Sequence, residues 1–253
     1  MANVKSGGFN KNVFKKLTDM ESKSFWFSNR NSLILYYLKK YFPEMKNYLE
    51  IGCGTGYVLS AVKQAFPNCN INGSELYEEG LEYAKERVPN VNLFQLDAVN
   101  MEIKETYDVF GAYDVLEHIF DDEKVITNLY NSLKNYDITI TGGLITVPQH
   151  MFMWSNADDS AQHVRRYSQK EIRAKLEKAG FKVLRITGFV SLLFPFMLFS
   201  RLVYRKKTNA SNELCPPFWL NCIFSWVMKI ELVLIKMGVS FPFGGSILCV
   251  VRR

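Results

Sequence analysis

Three glycines alternate along one short run of the chain. The run Glu50-Ile51-Gly52-Cys53-Gly54-Thr55-Gly56 follows a short apolar stretch and precedes a stretch with helical periodicity. Glycines at alternate positions let the backbone turn tightly and approach a ligand closely, because they carry no Cβ. The run is therefore typical of a loop between a strand and a helix that binds a small molecule through its backbone.

Two side chains beside this loop indicate the charge of the ligand. A dinucleotide-binding loop would have glycine at position 57, where this chain has Tyr57. The carboxylate of Glu50, directly before the loop, would repel a pyrophosphate but attract a cation. S-adenosylmethionine carries an ammonium and a sulfonium and has no phosphate. It is the predicted cofactor, and a nicotinamide dinucleotide is the disfavoured alternative.

Further acids end the next two predicted strands. Glu75 lies 19 residues after Gly56, where a carboxylate can accept hydrogen bonds from both ribose hydroxyls. Asp97, followed by Ala98, ends the third strand, where it can accept from an adenine amino group. Acids at strand ends are also ordinary helix N-caps, which is the alternative for each of them taken singly. Three acids in this order at successive strand ends favour a nucleoside site.

The three histidines of the chain are potential proton acceptors. His118 follows the fourth predicted strand, and His150 and His163 follow the fifth. In an open α/β sheet, these segments close the carboxyl edge, where ligands bind. Imidazoles titrate near neutrality and so suit a general base. The alternative for each histidine is a hydrogen-bonded loop or core residue.

The elements that position these residues alternate between strand and helix along the chain. This order predicts an α/β fold, a doubly wound parallel sheet of seven strands covered by helices on both faces. The predicted strands span 47–51, 70–74, 91–96, 107–113, 144–147, 181–186 and 246–252, and the predicted helices span 28–42, 57–65, 78–87, 123–133 and 169–179.

The motifs together resemble the class I S-adenosylmethionine-dependent methyltransferases, from about Glu21 to Arg185. The similarity is to the type 11 and type 12 members, which include the ubiquinone-pathway O-methyltransferases. It rests, beyond the glycine loop, on Phe25-Trp26-Phe27 with Arg30, Asp114-Val115-Leu116-Glu117-His118, Thr146-Val147-Pro148, Trp154-Ser155 and His163-Val164-Arg165-Arg166-Tyr167.

The resemblance implies a Rossmann-like sheet of seven strands with the last strand antiparallel. It also implies how the cofactor is held. The three loop glycines would wrap its methionine part, with Glu50 facing the ammonium and Tyr113 offering backbone at the end of strand four. Arg30 would bind the methionine carboxylate; a solvated arginine on a helix face is the alternative. The full implied set is Arg30, Glu50, Gly52, Gly54, Gly56, Glu75, Leu76, Asp97, Ala98 and Tyr113.

For the reaction, the protein must align the acceptor and remove its proton. We rank His118 and His163 above His150 as the catalytic base. In the ubiquinone-type enzymes a Glu-His pair, here Glu117 and His118, sits next to the acceptor, in some cases with a divalent metal. Because the further carboxylates of such a site are not evident in the sequence, we predict no required metal.

Acceptor contacts are expected from the residues after strand five. They are His150, Trp154, Arg166 and Tyr167. An arginine such as Arg166 can hold an anionic group of the acceptor. The alternative is a structural ion pair with Asp158 or Asp159.

The chain divides into four predicted segments: an N-terminal helical cap (1–45), the cofactor-binding core (46–188), an aromatic and basic helical insertion (189–245) and the final core strand (246–253). Residues 189–253 hold eight Lys and Arg against two acids, which accounts for the whole net charge of +6. The insertion is interpreted as a lid, a homodimer face, a peripheral membrane contact or ordinary core packing. No uninterrupted run of ~20 apolar residues predicts a membrane span.

Composition limits the remaining classes. With 48% hydrophobic and 22% charged residues in 253, the chain has the profile of a folded protein. Five cysteines without a C-x-x-C pair, and a polar N-terminus, predict a cytoplasmic protein, with membrane association left open. Residues 1–188 carry no net charge, and no N/D-P-P-Y/F motif follows strand four; both observations disfavour a nucleic-acid partner.

The predicted function is methyl transfer, to oxygen, on a small hydrophobic, saccharide-containing, lipid-linked or anionic acceptor. Carbon or nitrogen methylation, and a catalytically silent S-adenosylmethionine-binding subunit, are the alternatives.

Overall fold

A computed structural model describes residues 11–135, 140–204 and 216–253. Its centre is a seven-stranded sheet in the order β3-β2-β1-β4-β5-β7-β6. The strands are β1 (Asn47–Ile51), β2 (Asn70–Glu75), β3 (Asn92–Gln95), β4 (Val109–Tyr113), β5 (Gly142–Pro148), β6 (Lys182–Phe189) and β7 (Ser246–Arg252). Strand β7 pairs antiparallel with both β5 and β6, and the other pairs are parallel. The predicted doubly wound sheet with an antiparallel last strand is confirmed.

Helices cover both faces of the sheet. They are α1 (Lys11–Glu21), α2 (Phe25–Tyr41), α3 (Tyr57–Ala65), α4 (Glu78–Arg87), α5 (Asp122–Ser132), α6 (Asn156–Ser160), α7 (Gln169–Lys178), α8 (Phe194–Tyr204) and α9 (Phe218–Lys236). Apolar residues of α2, α3, α4 and α9 form one core cluster, and those of α5 and α7 form the other. The two clusters lie on opposite faces, as an α/β fold of three layers requires.

The strand order changes direction at β1, whose neighbours are β2 and β4. Ile51 pairs with Ser74 on one side and with Ala112 on the other, so these three strands end level with one another. The segments that follow them therefore meet at one edge of the sheet. This is the topological switch point, where open α/β sheets bind ligands.

Helices α8 and α9 both lie in the predicted insertion. α9 packs against α2: the rings of Phe25 and Phe224 are 5.3 Å apart, and Asn221 Oδ1 accepts a hydrogen bond of 2.9 Å from the amide of Phe25. The tract Arg205-Lys206-Lys207 lies outside the described residues. The division into four segments stays a prediction.

Candidate functional site

A cavity of about 1030 Å³ opens at the carboxyl edge of the sheet. Segments after β1, β2, β3 and β4 form its floor, and α1, α2, α8 and α9 contribute to its walls. Most of the predicted cofactor residues line this cavity: Arg30, Glu50, Gly52, Gly54, Glu75, Leu76, Asp97, Ala98 and Tyr113. Gly56 is not among the lining residues.

The glycine loop has the left-handed backbone that only glycine adopts readily. Gly52 has φ 60°, and a Cβ there would come within 2.6 Å of Val115. Gly54 has φ 53°, and a Cβ there would meet nothing within 4 Å. The loop thus turns against Val115 at its first glycine and faces open space at its second, which leaves room for a ligand.

Glu50 is a buried carboxyl at the start of the loop, 2% exposed. Tyr48 donates a hydrogen bond of 3.3 Å to its Oε2. Burial raises the pKa of Glu50 to about 8, against the lowering effects of the Arg30 guanidinium and of Tyr48. A cation bound beside a buried carboxyl with a raised pKa stabilises its ionised form. Glu50 therefore favours a positively charged ligand.

Glu75 connects β2 to the glycine loop. Its Oε2 accepts from the amide of Gly54 at 2.9 Å, and its Oε1 accepts from the amides of Leu76 and Tyr77 at 2.8 and 3.2 Å. Burial raises the pKa of Glu75, and these amides oppose the rise. The carboxylate therefore orders the loop as well as facing the cavity. Its contact with a ribose stays a prediction.

Asp97 is an N-cap in addition to lining the cavity. Its side chain accepts from the amide of Val99 at 2.9 Å at the start of the short 3₁₀ helix Ala98–Asn100. The capping alternative is thus realised. Its contact with adenine stays a prediction.

Arg30 forms an ion pair with Asp114, the residue directly after β4. Its guanidinium also lies over the ring of Trp26, 4.4 Å from the centroid. Arg30 is buried rather than solvated. Its charge lowers the pKa of Glu50, which opposes the larger rise that burial causes. Sequence reasoning missed this role of Asp114, although its position at a strand end was a usable signal.

His118 and His163 lie side by side at the cavity, with ring centroids 4.8 Å apart. Burial, with the neighbouring His163 as the second cause, lowers the pKa of His118 to about 4. His118 is therefore neutral at pH 7 and a weak base. The structure brings together the two histidines ranked first, and it places His150 outside the residues that line the cavity.

Asp158 holds His163 and two arginines. Its Oδ1 lies 2.9 Å from His163 Nδ1 and accepts from Arg166 Nε at 2.7 Å; its Oδ2 lies 3.5 Å from Arg201 Nη1. Burial alone would raise the pKa of Asp158, but the hydrogen bond from His163 and the charge of Arg166 lower it far below its usual range. An ionised carboxylate only accepts, so Nδ1 of His163 carries the hydrogen and Nε2 has the lone pair in the neutral ring.

Glu117 is fully buried beside the histidines, and neither of its carboxyl oxygens has a hydrogen-bond partner among the described residues. Burial, and then the charge of Asp114, raise its pKa well above the usual range. Ligand atoms of Glu117, His118 and His163 lie within 4.8 Å of one another. One carboxylate and two imidazoles are a set that divalent metals accept. The absence of a required metal therefore stays a prediction.

The residues predicted to contact the acceptor lie in different surroundings. Arg166 lines the cavity but is paired with Asp158, as the ion-pair alternative predicted. Tyr167 lies in the core instead. Its hydroxyl donates a hydrogen bond of 2.7 Å to Asp122. Trp154 donates to Asp159 at 2.9 Å and, like His150, lies outside the lining residues.

Helix α1 lies within the predicted N-terminal helical cap, but its bounds and its place at the cofactor end of the cavity were not predicted. Phe14 and Leu17 line the cavity, and the Glu21 carboxylate accepts from the Thr55 hydroxyl at 2.6 Å and from Arg87 at 2.7 Å. The spacing of Phe14, Leu17 and Glu21 along one helical face was the available signal.

The sequence is similar to curated methyltransferases over part of its length. It is 36% identical over 87 residues to a malonyl-[acyl-carrier protein] O-methyltransferase of Bacillus anthracis, covering 34% of this chain and 32% of that enzyme. It is 23% identical over 158 residues to a ubiquinone biosynthesis O-methyltransferase of Rickettsia canadensis, covering 56% and 65%. The chain thus spans about a third of the length of the first of these relatives.

Solved structures share the fold. Phosphoethanolamine N-methyltransferase 2 of Haemonchus contortus, in complex with S-adenosyl-L-methionine, has a TM-score of 0.63 at 18% identity and covers 98% of this chain and 58% of that one. A SAM-dependent methyltransferase from Archaeoglobus fulgidus has a TM-score of 0.57 at 15% identity, covering 88% and 94%. The family model described as a methyltransferase domain matches residues 24–186, well over half of the sequence. The chain therefore belongs to the class I S-adenosylmethionine-dependent methyltransferases.

Proposed function

We propose that the protein methylates an oxygen atom of a small hydrophobic acceptor, with His163 as the general base. The observation that carries the proposal is the pair of Asp158 and His163, with Nδ1 and Oδ1 2.9 Å apart at the wall of the cavity. The names of the curated relatives, both O-methyltransferases, support oxygen as the acceptor atom.

The residues of the chain account for the steps. S-adenosylmethionine supplies a methyl group on a sulfonium for in-line displacement. Glu50 and the loop from Gly52 to Gly54 would hold its methionine part, and Glu75 its ribose. As the acceptor oxygen received this methyl group, His163 Nε2 would take the proton that the oxygen loses. Asp158 would stabilise the imidazolium that forms.

The acceptor side of the cavity is apolar. Leu193, Phe196 and Met197 line it from α8 and the preceding segment, and Leu220 and Phe224 line it from α9. Because Arg166 and Arg201 both face Asp158, the charge available to an anionic acceptor is reduced. These walls support an acceptor with a hydrophobic body and a hydroxyl group that reaches His163.

An acceptor screen tests the proposal. Phenols, fatty hydroxy compounds and saccharide-linked lipids, with matched amines, would be incubated with S-adenosylmethionine carrying a labelled methyl group, and products identified by mass spectrometry. We expect label on oxygen. Label on amines instead would contradict the proposal, as would tight cofactor binding without transfer to any acceptor, which would favour the silent subunit.

Glu75→Ala should weaken S-adenosylmethionine binding about 10- to 150-fold, equivalent to roughly 1.5–3 kcal/mol, because it removes a carboxylate that orders Gly54 and faces the cofactor. Calorimetric titration measures the affinity. Glu78→Ala is the matched control, since Glu78 is an exposed acid three residues further along the chain. Equal affinities of folded Glu75→Ala and wild-type protein would remove the ribose assignment.

Cofactor affinity should also depend on pH through Glu50. In the free protein its pKa of about 8 keeps the carboxyl protonated at pH 6, and the ammonium of the cofactor favours the ionised form. Binding thus releases a proton below pH 8, so affinity should rise from pH 6 to 8 by up to about tenfold per pH unit. Titrations at several pH values test this. Glu50→Gln should abolish the rise, and a wild-type affinity that is flat or falls over this range contradicts it.

A further inference from the structure

The three helices α2, α8 and α9 carry almost no negative charge. Their single acid is Glu231, which is buried and accepts hydrogen bonds from the amides of Ser191 and Leu192 at 2.6 and 2.8 Å. The lysines of these helices are exposed instead: Lys39, Lys40, Lys229 and Lys236. The surface that these helices present is therefore positively charged.

Helix α9 has one buried face and one exposed apolar face. Phe224, Met228, Glu231 and Ile235 are buried towards α2 and the sheet. Of the 18 most apolar consecutive residues of α9, only 22% are buried. By length and composition alone, this helix could cross a membrane. The exposed apolar residues follow one stripe along the helix. They form what we call the aromatic face: Trp219, Ile223, Trp226, Ile230, Val233 and Met237.

The buried face ties α9 to the fold along its length. At its start, Asn221 Nδ2 donates to the carbonyl of Lys23 at 3.0 Å and its Oδ1 accepts from the amide of Phe25. At its end, the Tyr36 hydroxyl donates to the carbonyl of Lys236 at 3.4 Å. A helix held in this way lies along the surface of the protein rather than crossing a bilayer.

We propose that the aromatic face docks the protein on an anionic lipid bilayer, with α9 parallel to the membrane plane. Trp219 and Trp226, 64% and 68% exposed, are residues that prefer the boundary between headgroups and acyl chains. Lys229 and Lys236 flank this face and reach towards lipid phosphates. A hydrophobic stripe flanked by lysines, with no exposed acid on α2, α8 or α9, is complementary to such a surface.

The charges favour a membrane over a second copy of the chain. In a two-fold dimer the same surface meets itself. Lys229 and Lys236 of both copies would then lie near each other, with no exposed acid of α2, α8 or α9 to pair with them. An anionic bilayer supplies the missing negative charge.

Docking would also bring the cavity close to the lipid. Leu220 and Phe224 line the cavity from the other side of α9, so the apolar wall would lie about one helix diameter, ~10 Å, from the bilayer. Membrane binding does not depend on the proposed methyl transfer, and the two can be tested separately.

Sedimentation with vesicles tests the proposal. We expect the full chain to bind phosphatidylcholine vesicles containing about one-third phosphatidylglycerol and to bind pure phosphatidylcholine far more weakly. Trp219→Ser/Trp226→Ser should lower the partition coefficient at least about tenfold. Unchanged S-adenosylmethionine affinity in this variant shows that it is folded, because both side chains are exposed in the structure.

A matched pair of charge variants isolates the electrostatic contribution. Lys229→Gln/Lys236→Gln should weaken binding about tenfold or more. Lys124→Gln/Lys170→Gln should not, because these exposed lysines lie on α5 and α7, across the sheet from α9. Equal binding to neutral vesicles, or no effect of the tryptophan variant, overturns the proposal. A wild-type dimer in light scattering that the tryptophan variant dissociates also overturns it, in favour of a second copy.

Discussion

His163→Ala should lower turnover by about 10²- to 10⁴-fold while leaving S-adenosylmethionine affinity nearly constant. The reason is that Nε2 of this ring has the lone pair, since the ionised Asp158 holds the hydrogen on Nδ1. Removing a general base costs this range when the acceptor must lose its proton in the reaction. Steady-state kinetics on the acceptor found by the screen, with calorimetry for the cofactor, separates the two effects.

His118→Ala is the control for this substitution. Its pKa of about 4 makes it a weak base at neutral pH, and its ring also hydrogen-bonds to the backbone of Ala161 and Gln162. We expect it to slow turnover less than about tenfold. If His118→Ala is the more damaging change, the base is His118. If neither change slows methylation, alignment of an acidic acceptor is the better account.

Local patterns predicted the elements that carry the site. α3 (Tyr57–Ala65) and β7 (Ser246–Arg252) have the predicted bounds, because helical periodicity and apolar strand runs are properties of neighbouring residues. The proximity of His118 and His163 was also predictable. Both follow strands of one sheet, and the carboxyl ends of those strands meet at one edge.

The ion pair of Arg166 with Asp158 was one of the predicted alternatives, but the partners of Arg30 and Arg201 were not predictable in the same way. Arg30 pairs with Asp114, 84 positions away, and Arg201 approaches Asp158 from α8. The sequence offers several acids as partners for each of these arginines. Which acid pairs with which arginine depends on how the helices pack across the cavity. Spacing along the chain does not contain that information.

Helix α1 shows a second limit. Its sequence, KNVFKKLTDME, has few apolar residues, and a short helix of this kind is marginal in isolation. It is held by the contacts of Glu21 with Thr55 and Arg87. The spacing of its apolar residues indicates a helix, but the partners that hold this helix are known only from the fold.

The same dependence on partners makes Asp158 a sensitive position of the site, because His163, Arg166 and Arg201 all face it. Asp158→Asn should lower the free energy of unfolding by about 3–5 kcal/mol, because it leaves the buried guanidiniums of Arg166 and Arg201 without their shared carboxylate. Denaturant unfolding measures this loss. Asp159→Asn, at the adjacent exposed position, is the matched control and should change stability by less than about 0.5 kcal/mol.

Turnover should respond to Asp158→Asn in a way that a structural role alone does not explain. An amide at this position no longer fixes the hydrogen on Nδ1 of His163, so we expect turnover to fall by about 10²-fold or more in the folded variant. The amide also no longer stabilises a charged imidazolium, while Arg166 and Arg201 remain nearby. A variant that is less stable but whose folded fraction turns over at the wild-type rate would show that Asp158 supports the fold and does not orient the base.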